Sequence, residues 1–279
     1  MNRILCSTGA FIGRANDRNY KLLSECVRYL NCDGFEFMMY DDWYDKTEEI
    51  LTFLSDFPKP FPTFHIAKSI GNFISRNDQG DTEKAVELFE KNCILAQQLG
   101  AEKLVLHLWN GLDSDKDFPH NIEVYILLRE IADRYGLMLT VENVVCGIAD
   151  PMTRLNELVE VKSDIRFTFD TKMAEFHGQL EQLYAIENRH IWERVAHMHI
   201  NDYKGGVKDW SCLRTLHIGD GQINFERLFC FMKKMNYAGD FTIESTSFDK
   251  SGTIDFNKMN QSIDMVRKYL KSAKIVSYR

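Results

Sequence analysis

Four short stretches in the second half of the chain repeat one pattern. LTVENV alternates Leu139 and Val141 with Thr140 and Glu142, FTFD ends on Asp170 above Thr168, AHMHI carries His197 and His199 on one parity, and FTIES carries Thr242 and Glu244. Successive side chains of a strand point to opposite faces, so each stretch buries an apolar face and ends its polar face in a group able to bind a metal. The gaps from Glu142 to Asp170, then to His199, then to Glu244 are 28, 29 and 45 residues. Such gaps are too long for a local metal loop. They match one to one and a half strand-plus-helix units of a parallel sheet, which gathers ligands from the ends of successive strands.

The first half supplies matching units. RILCSTG, GFEFMM, FPTFHIA and KLVLHLW read as strands one to four, with Glu36 opposite in parity to Phe35 and Phe37, and Thr63 and His65 on one side. Helical periodicity runs through Tyr20, Leu23, Val27 and Leu30, and through residues 47–57 up to the prolines at 58, 60 and 62, which cannot continue a helix. Further helices are expected over about 83–99 and 121–135, each stopped by a glycine, then from Asp150-Pro151, over 180–192 and 224–237, and from Phe256 to Leu270. Residues 68–82 read as the longest irregular stretch, placed after strand three where a barrel keeps its catalytic rim. Eight strands alternating with eight helices over residues 1–279 predict a single-domain α/β chain, a (β/α)8 barrel. A doubly wound open sheet is the alternative, because periodicity does not show closure.

Composition narrows the function. A formal net charge of −7 disfavours a nucleic-acid partner, which needs Lys and Arg to neutralise phosphates. Seven scattered cysteines without a C-x-x-C pair point to reduced thiols, and the start MNRILCSTGAF lacks a long apolar run, so a cytoplasmic protein with no membrane span is expected. Neither a G-x-G-x-x-G nor a Walker loop is present, which weakens nucleotide-cofactor readings.

If the barrel closes, Glu142, Asp170, His199 and Glu244 face a common centre. Three carboxylates and one imidazole form a mostly hard donor set, suited to one divalent ion, Mn²⁺ above all, with Mg²⁺, Co²⁺ and Zn²⁺ also accommodated. The alternative for any one such residue is a helix cap or a surface ion pair, but four in succession with one parity outweigh it.

The segments TFHIAKS, LVLHLWNG, VENV, FTFDTKMAEFH, HMHINDYKG and LHIGDGQINFERLFCFMKKMNYAGDFTIES together resemble the xylose isomerase-like TIM barrel superfamily, over about residues 2–270. That group includes sugar-phosphate isomerases and epimerases, tagatose 3-epimerase relatives, inosose isomerases and dehydratases, and endonuclease IV. The resemblance implies that Glu142, Asp170, His199 and Glu244 hold one metal, that Glu142 and Glu244 are the acid/base pair, and that His65 and His107 contact substrate or a further metal. It also implies a substrate-binding arginine near the G-D-G turn, matched by Arg214, and Lys204 could touch an anionic substrate. Asp202 is expected to orient a neighbour, His197 and His217 to support the ligands, and Trp109, Phe176 and Trp210 to wall the rim.

Two positions depart from the pattern. Met173 stands where many members carry a histidine three residues after the strand-six aspartate, with His177 a candidate substitute. Leu213 and Thr215 stand where endonuclease IV relatives supply an Asp-x-His pair. The expected activity is therefore a metal-dependent isomerase or epimerase of a small sugar, sugar phosphate or inosose-like polyol, working through an enediolate. The alternatives are a dehydratase or lyase on a similar substrate, an endonuclease IV-like phosphodiesterase, and a sugar-binding barrel without turnover. Sequence does not name the oligomeric state.

Overall fold

The computed structural model describes residues 2–272. Eight strands, β1 (Ile4–Ser7), β2 (Gly34–Met38), β3 (Thr63–His65), β4 (Lys103–Leu106), β5 (Met138–Glu142), β6 (Arg166–Asp170), β7 (Val195–Ile200) and β8 (Asp240–Ile243), close into a barrel in chain order. Every neighbouring pair is parallel, and β1 returns to β8. The open-sheet alternative is thereby excluded. The chain is a single-domain (β/α)8 barrel.

The α-helices are α1 (Leu23–Tyr29), α2 (Thr47–Leu54), α3 (Ser69–Arg76), α4 (Asp81–Gln98), α5 (Phe118–Arg134), α6 (Pro151–Val161), α7 (Thr171–Phe176), α8 (Arg189–Trp192), α9 (Phe225–Lys234) and α10 (Phe256–Ser272). They pack on the apolar strand faces, where Phe35, Phe37, Phe64, Leu104, Leu139, Val141, Phe167, Phe169, Met198 and Ile243 are at most 1% exposed. The α6 start follows the predicted chemistry: Asp150 accepts a hydrogen bond from the Thr153 amide and Pro151 takes the first turn.

Two expectations fail. Residues 68–82 are not an irregular loop but contain α3 and the start of α4. Gly71 obscures that helix in the sequence, yet its missing side chain is what lets α3 seat on strand four's exit: a Cβ there would stand 2.2 Å from the His107 carbonyl oxygen. The helix expected over 180–192 is two 3-10 turns and the short α8, while the helix that directly follows β6 is α7, capped by Asp170.

One irregularity in the sheet bears on the site. Between β6 and β7 the register shifts, from Phe167 opposite Val195 to Thr168 opposite His197 and Asp170 opposite His199. The extra β7 residue reverses the parity of everything after it, so His197 and His199 join the interior face with Thr168 and Asp170.

Candidate metal centre

The interior face is polar and sealed. Thr140 donates to the Leu104 carbonyl at 2.7 Å and shares a 2.7 Å hydrogen bond with Thr168, giving a hydroxyl layer beneath the strand-five and strand-six carboxylates. Above it, one ligand atom from each of Glu142, Asp170, His199 and Glu244 lies within 4.8 Å of the others. His199 Nδ1 is the meeting point, 3.1 Å from Glu142 Oε1 and 3.4 Å from Glu244 Oε2.

Backbone-anchored amides fix the carboxylates. Asn143 receives the Asp170 amide at 2.6 Å and donates to the Asp170 carbonyl at 3.2 Å. Asn201 donates through one Nδ2 to Asp170 Oδ2 at 3.1 Å and to Glu244 Oε2 at 3.3 Å, while its Oδ1 accepts from the Glu244 amide at 3.0 Å. Asn143 and Asn201, the residues after β5 and β7, thus hold the Asp170 backbone and the Asp170 and Glu244 carboxylates in place.

The charges favour a cation. Burial pushes the Asp170 carboxyl up to about 6 despite Lys172, with the Glu142 and Glu244 charges adding to the rise. His199 is buried, yet the carboxylates of Glu244, Glu36 and Glu142 hold its pKa well above the ordinary imidazole value. Burial raises Glu142, but the charges and hydrogen bonds of His199 and His107 together more than reverse this and keep it well below the usual carboxylate range. Without a metal, therefore, the His199 imidazolium partly neutralises three acids packed at one point, and Asp170 keeps its proton to a higher pH than an ordinary carboxyl. A divalent ion suits that donor set and relieves the same repulsion.

The other two expected histidines flank Glu142. His107 Nε2 is 2.8 Å and His65 Nε2 3.5 Å from Glu142 Oε2, forming a second metal-competent group of three buried side chains. His65 Nδ1 donates to the Ile66 carbonyl at 2.9 Å, leaving Nε2 to face the acid. Burial pushes His107 down to about 4, so it is neutral. A third group, Glu36, His197 and His199, lies inward of the first.

A cavity of about 330 Å³ opens onto Glu244 and is lined by Ser7, Arg18, Tyr40, Lys68, Lys172 and Thr215 among others. Lys172, only 7% exposed, reaches 3.8 Å from Asp170 Oδ2 and 3.3 Å from Thr215 Oγ1. Burial lowers its pKa, but Asp170, Glu244 and Glu142 more than reverse this, so it is a cation. Arg214 and Lys204 are exposed and do not line this cavity. Nor does His177: it is buried against Phe176, 5.1 Å between ring centroids, with neither ring nitrogen hydrogen-bonded. Lys172, two residues after Asp170, occupies the cavity instead.

The remaining candidates have structural partners. Asp202 gathers the amides of Tyr203, Gly219, Gly221 and Ile223 and so orders the G-D-G turn. Trp109 is buried and donates to the Val144 carbonyl at 2.8 Å, and Phe176 packs edge-on with Trp210. His217 binds Ser262 at 3.0 Å and lines a different cavity, about 800 Å³, that contains none of the metal-competent residues. Of these two cavities only the smaller is lined by a member of the cluster, Glu244, with Lys172 beside Asp170 on its wall. Sequence reading passed over Glu36, Asn143, Asn201, Lys172, Lys68 and Arg18. Only Glu36 carried a signal, as an acid on the interior parity of a strand otherwise made of Phe and Met.

The family profile described as xylose isomerase-like TIM barrel matches residues 25–269. Among solved structures, a D-tagatose 3-epimerase-like protein gives a TM-score of 0.72 at 19% identity over 97% of this chain and 98% of its own. The D-allulose 3-epimerase of Methylomonas sp. in complex with D-allulose gives 0.71 at 14% identity over 96% and 97%. IOLI protein with a binding zinc atom gives 0.70 at 12% identity over 98% and 100%. At these identities the likeness is one of fold. An uncharacterized protein of Methanocaldococcus jannaschii is 25% identical over 161 residues, 56% of this chain, and the match spans 59% of that relative's length. No helix among the described residues is long and apolar enough to cross a membrane.

Proposed function

Because the chain belongs to the xylose isomerase-like TIM barrel family, we propose that it is a metal-dependent isomerase or epimerase of a small sugar, sugar phosphate or inosose-like polyol. The observation that carries this is the convergence of Glu142 and Glu244 on His199 Nδ1, at 3.1 and 3.4 Å, from strands three positions apart around the barrel. Two carboxylates that reach one point from different sides can serve as base and acid on opposite faces of a flat intermediate. The likeness to epimerase structures, one holding D-allulose and another fold relative holding zinc, supports the same reading.

Glu142, Asp170, His199 and Glu244 would hold a divalent ion, and the chemistry it would supply there is Lewis acidity toward a substrate carbonyl, which acidifies the neighbouring carbon. Glu142 takes the proton from that carbon and Glu244 returns one, or the reverse for the opposite isomer. His65 and His107, beside Glu142 Oε2, offer ring nitrogens to substrate hydroxyls. Lys172 brings a buried cation to the oxygen on which negative charge develops, and Lys68 and Arg18 extend the polar wall outward. Asn201 keeps Asp170 and Glu244 in fixed relation as protons move.

The test is a panel of ketoses, aldoses and inososes incubated with Mn²⁺-loaded protein, with products resolved by chromatography and mass. A product isomeric with its substrate supports the proposal. Loss of water would instead identify a dehydratase, and binding without turnover across the panel a non-catalytic barrel.

A further inference from the structure

Glu36 stands on β2, 0% exposed, and its Oε2 lies 3.0 Å from Nε2 of both His197 and His199. Its other oxygen has no hydrogen-bond partner. The buried Lys103, with Arg3, is committed to Asp240 at the far end of the barrel. A buried carboxylate kept for stability alone would have both oxygens satisfied, since desolvating the charge costs several kcal/mol. The hydrogen-bond partners Glu36 does have are two imidazoles, and one of them is the meeting point of the acids above.

We infer that Glu36 is a positioning residue for the metal centre: its carboxylate holds the His199 ring with the proton on Nε2 and Nδ1 turned toward Glu142 and Glu244. The inference rests on the reading of His199 as a metal ligand. An ionised carboxylate only accepts hydrogen bonds, so both Nε2 atoms facing Oε2 must carry hydrogen. Once His199 has its proton on Nε2, the lone pair of the neutral ring is on Nδ1, the side on which Glu142 Oε1 and Glu244 Oε2 converge. His197 braces the acid from beside, its Nε2 also 2.9 Å from Thr242 Oγ1, so Glu36 cannot swing away from His199. A carboxylate behind a ligating histidine fixes its tautomer and raises its basicity, and removing such a partner weakens metal binding 10- to 100-fold.

The decisive variant is Glu36→Gln, which keeps size and a carbonyl oxygen able to accept from both rings but removes the charge that holds the His199 proton on Nε2 and raises the basicity of Nδ1. Calorimetric titration of the metal-free proteins with Zn²⁺ and with Mn²⁺ should show affinity about 10- to 100-fold weaker in the variant. The Tm of the metal-free variant should be equal or higher, because a buried charge has gone. Nitrogen-15 NMR of histidine-labelled, zinc-loaded wild type should show His199 protonated at Nε2 and bound through Nδ1. Unchanged affinity in Glu36→Gln, a lower metal-free Tm with unchanged affinity, or zinc on Nε2 in the wild type would each overturn the inference. The NMR result decides the matter even if the variant fails to fold. If the wild type bound neither ion, the proposed function would fall as well, whereas equal binding by wild type and variant would remove only the role of Glu36.

Discussion

Glu142 and His199 meet across the interior of the barrel, Oε1 to Nδ1 at 3.1 Å, with both side chains at most 2% exposed. They come from β5 and β7, and Asp170 on the strand between them completes the arc. Their substitution separates metal binding from proton transfer. His199→Ala removes a ligand but no acid or base, so metal content should fall and excess Mn²⁺ should restore part of the activity. Glu142→Gln keeps an oxygen donor but deletes the base, so turnover should drop roughly 10²- to 10⁴-fold even at saturating Mn²⁺. Elemental analysis alongside kcat at saturating metal separates the two.

Metal affinity should weaken as pH falls through about 6. In the metal-free protein burial and the neighbouring acids raise Asp170 from 3.8 to about 6, so below that pH an ion must displace its proton. The stability effect has the opposite sense. A carboxyl whose folded-state pKa is raised stabilises the metal-free fold below its unfolded value, and that contribution is lost as pH rises through about 6. The increase in Tm on adding Mn²⁺ should therefore be larger at pH 7.5 than at pH 5.5, which thermal scans at the two pH values would check.

That Glu142, Asp170, His199 and Glu244 come together is legible in the sequence, because each stands at the end of a strand whose parity separates Phe or Val from Thr, Glu, Asp or His. The helix at 69–76 is not, since Gly71 and its polar flanks read as loop and its place depends on contact with the His107 backbone. The β7 register shift was equally hidden: AHMHI places both histidines on one parity, but which face that parity takes relative to Asp170 depends on one unpaired residue. Glu36 gave up its role only with its partners, more than 150 residues away in sequence, at His197 and His199. Lys172 looks like an exposed residue at a helix start, and only the closed barrel shows it 7% exposed above Asp170. Arg214, chosen from its distance to the G-D-G turn, and Lys204, chosen because it follows the His199–Asp202 run, lie on a loop whose course the sequence does not encode locally.

Gly71→Ala should perturb the site through the backbone. The added Cβ would meet the His107 carbonyl oxygen at 2.2 Å, and neither a helix nor a strand exit can yield without shifting. Overpacking of this kind costs about 1–3 kcal/mol. Chemical denaturation should show that loss, together with a raised KM, because His107 would move relative to Glu142.

The opposite end of the barrel should carry stability and no chemistry. Asp240, 5% exposed, pairs with Lys103 at 2.5 Å and with Arg3 at 2.7 Å, and Arg3 continues to Glu102. Burial raises the Asp240 pKa, but these two cations hold it below the ordinary carboxylate range, so its contribution is present above its unfolded value and is lost as pH falls toward the folded one. Asp240→Asn leaves Lys103 buried without its charge partner and should cost about 3–5 kcal/mol, measured by denaturation at neutral pH. Metal affinity per folded molecule should not change.

The most direct test of proton transfer by Glu142 and Glu244 is exchange of carbon-bound hydrogen with solvent. Metal-loaded wild-type protein in D₂O, given the ketose or inosose it converts best, should place deuterium on the carbon next to the carbonyl. That incorporation should vanish on chelation, and Glu142→Gln and Glu244→Gln should each reduce it by at least about 100-fold. Exchange that survives both substitutions, or isomer formation without any deuterium uptake, would contradict the account.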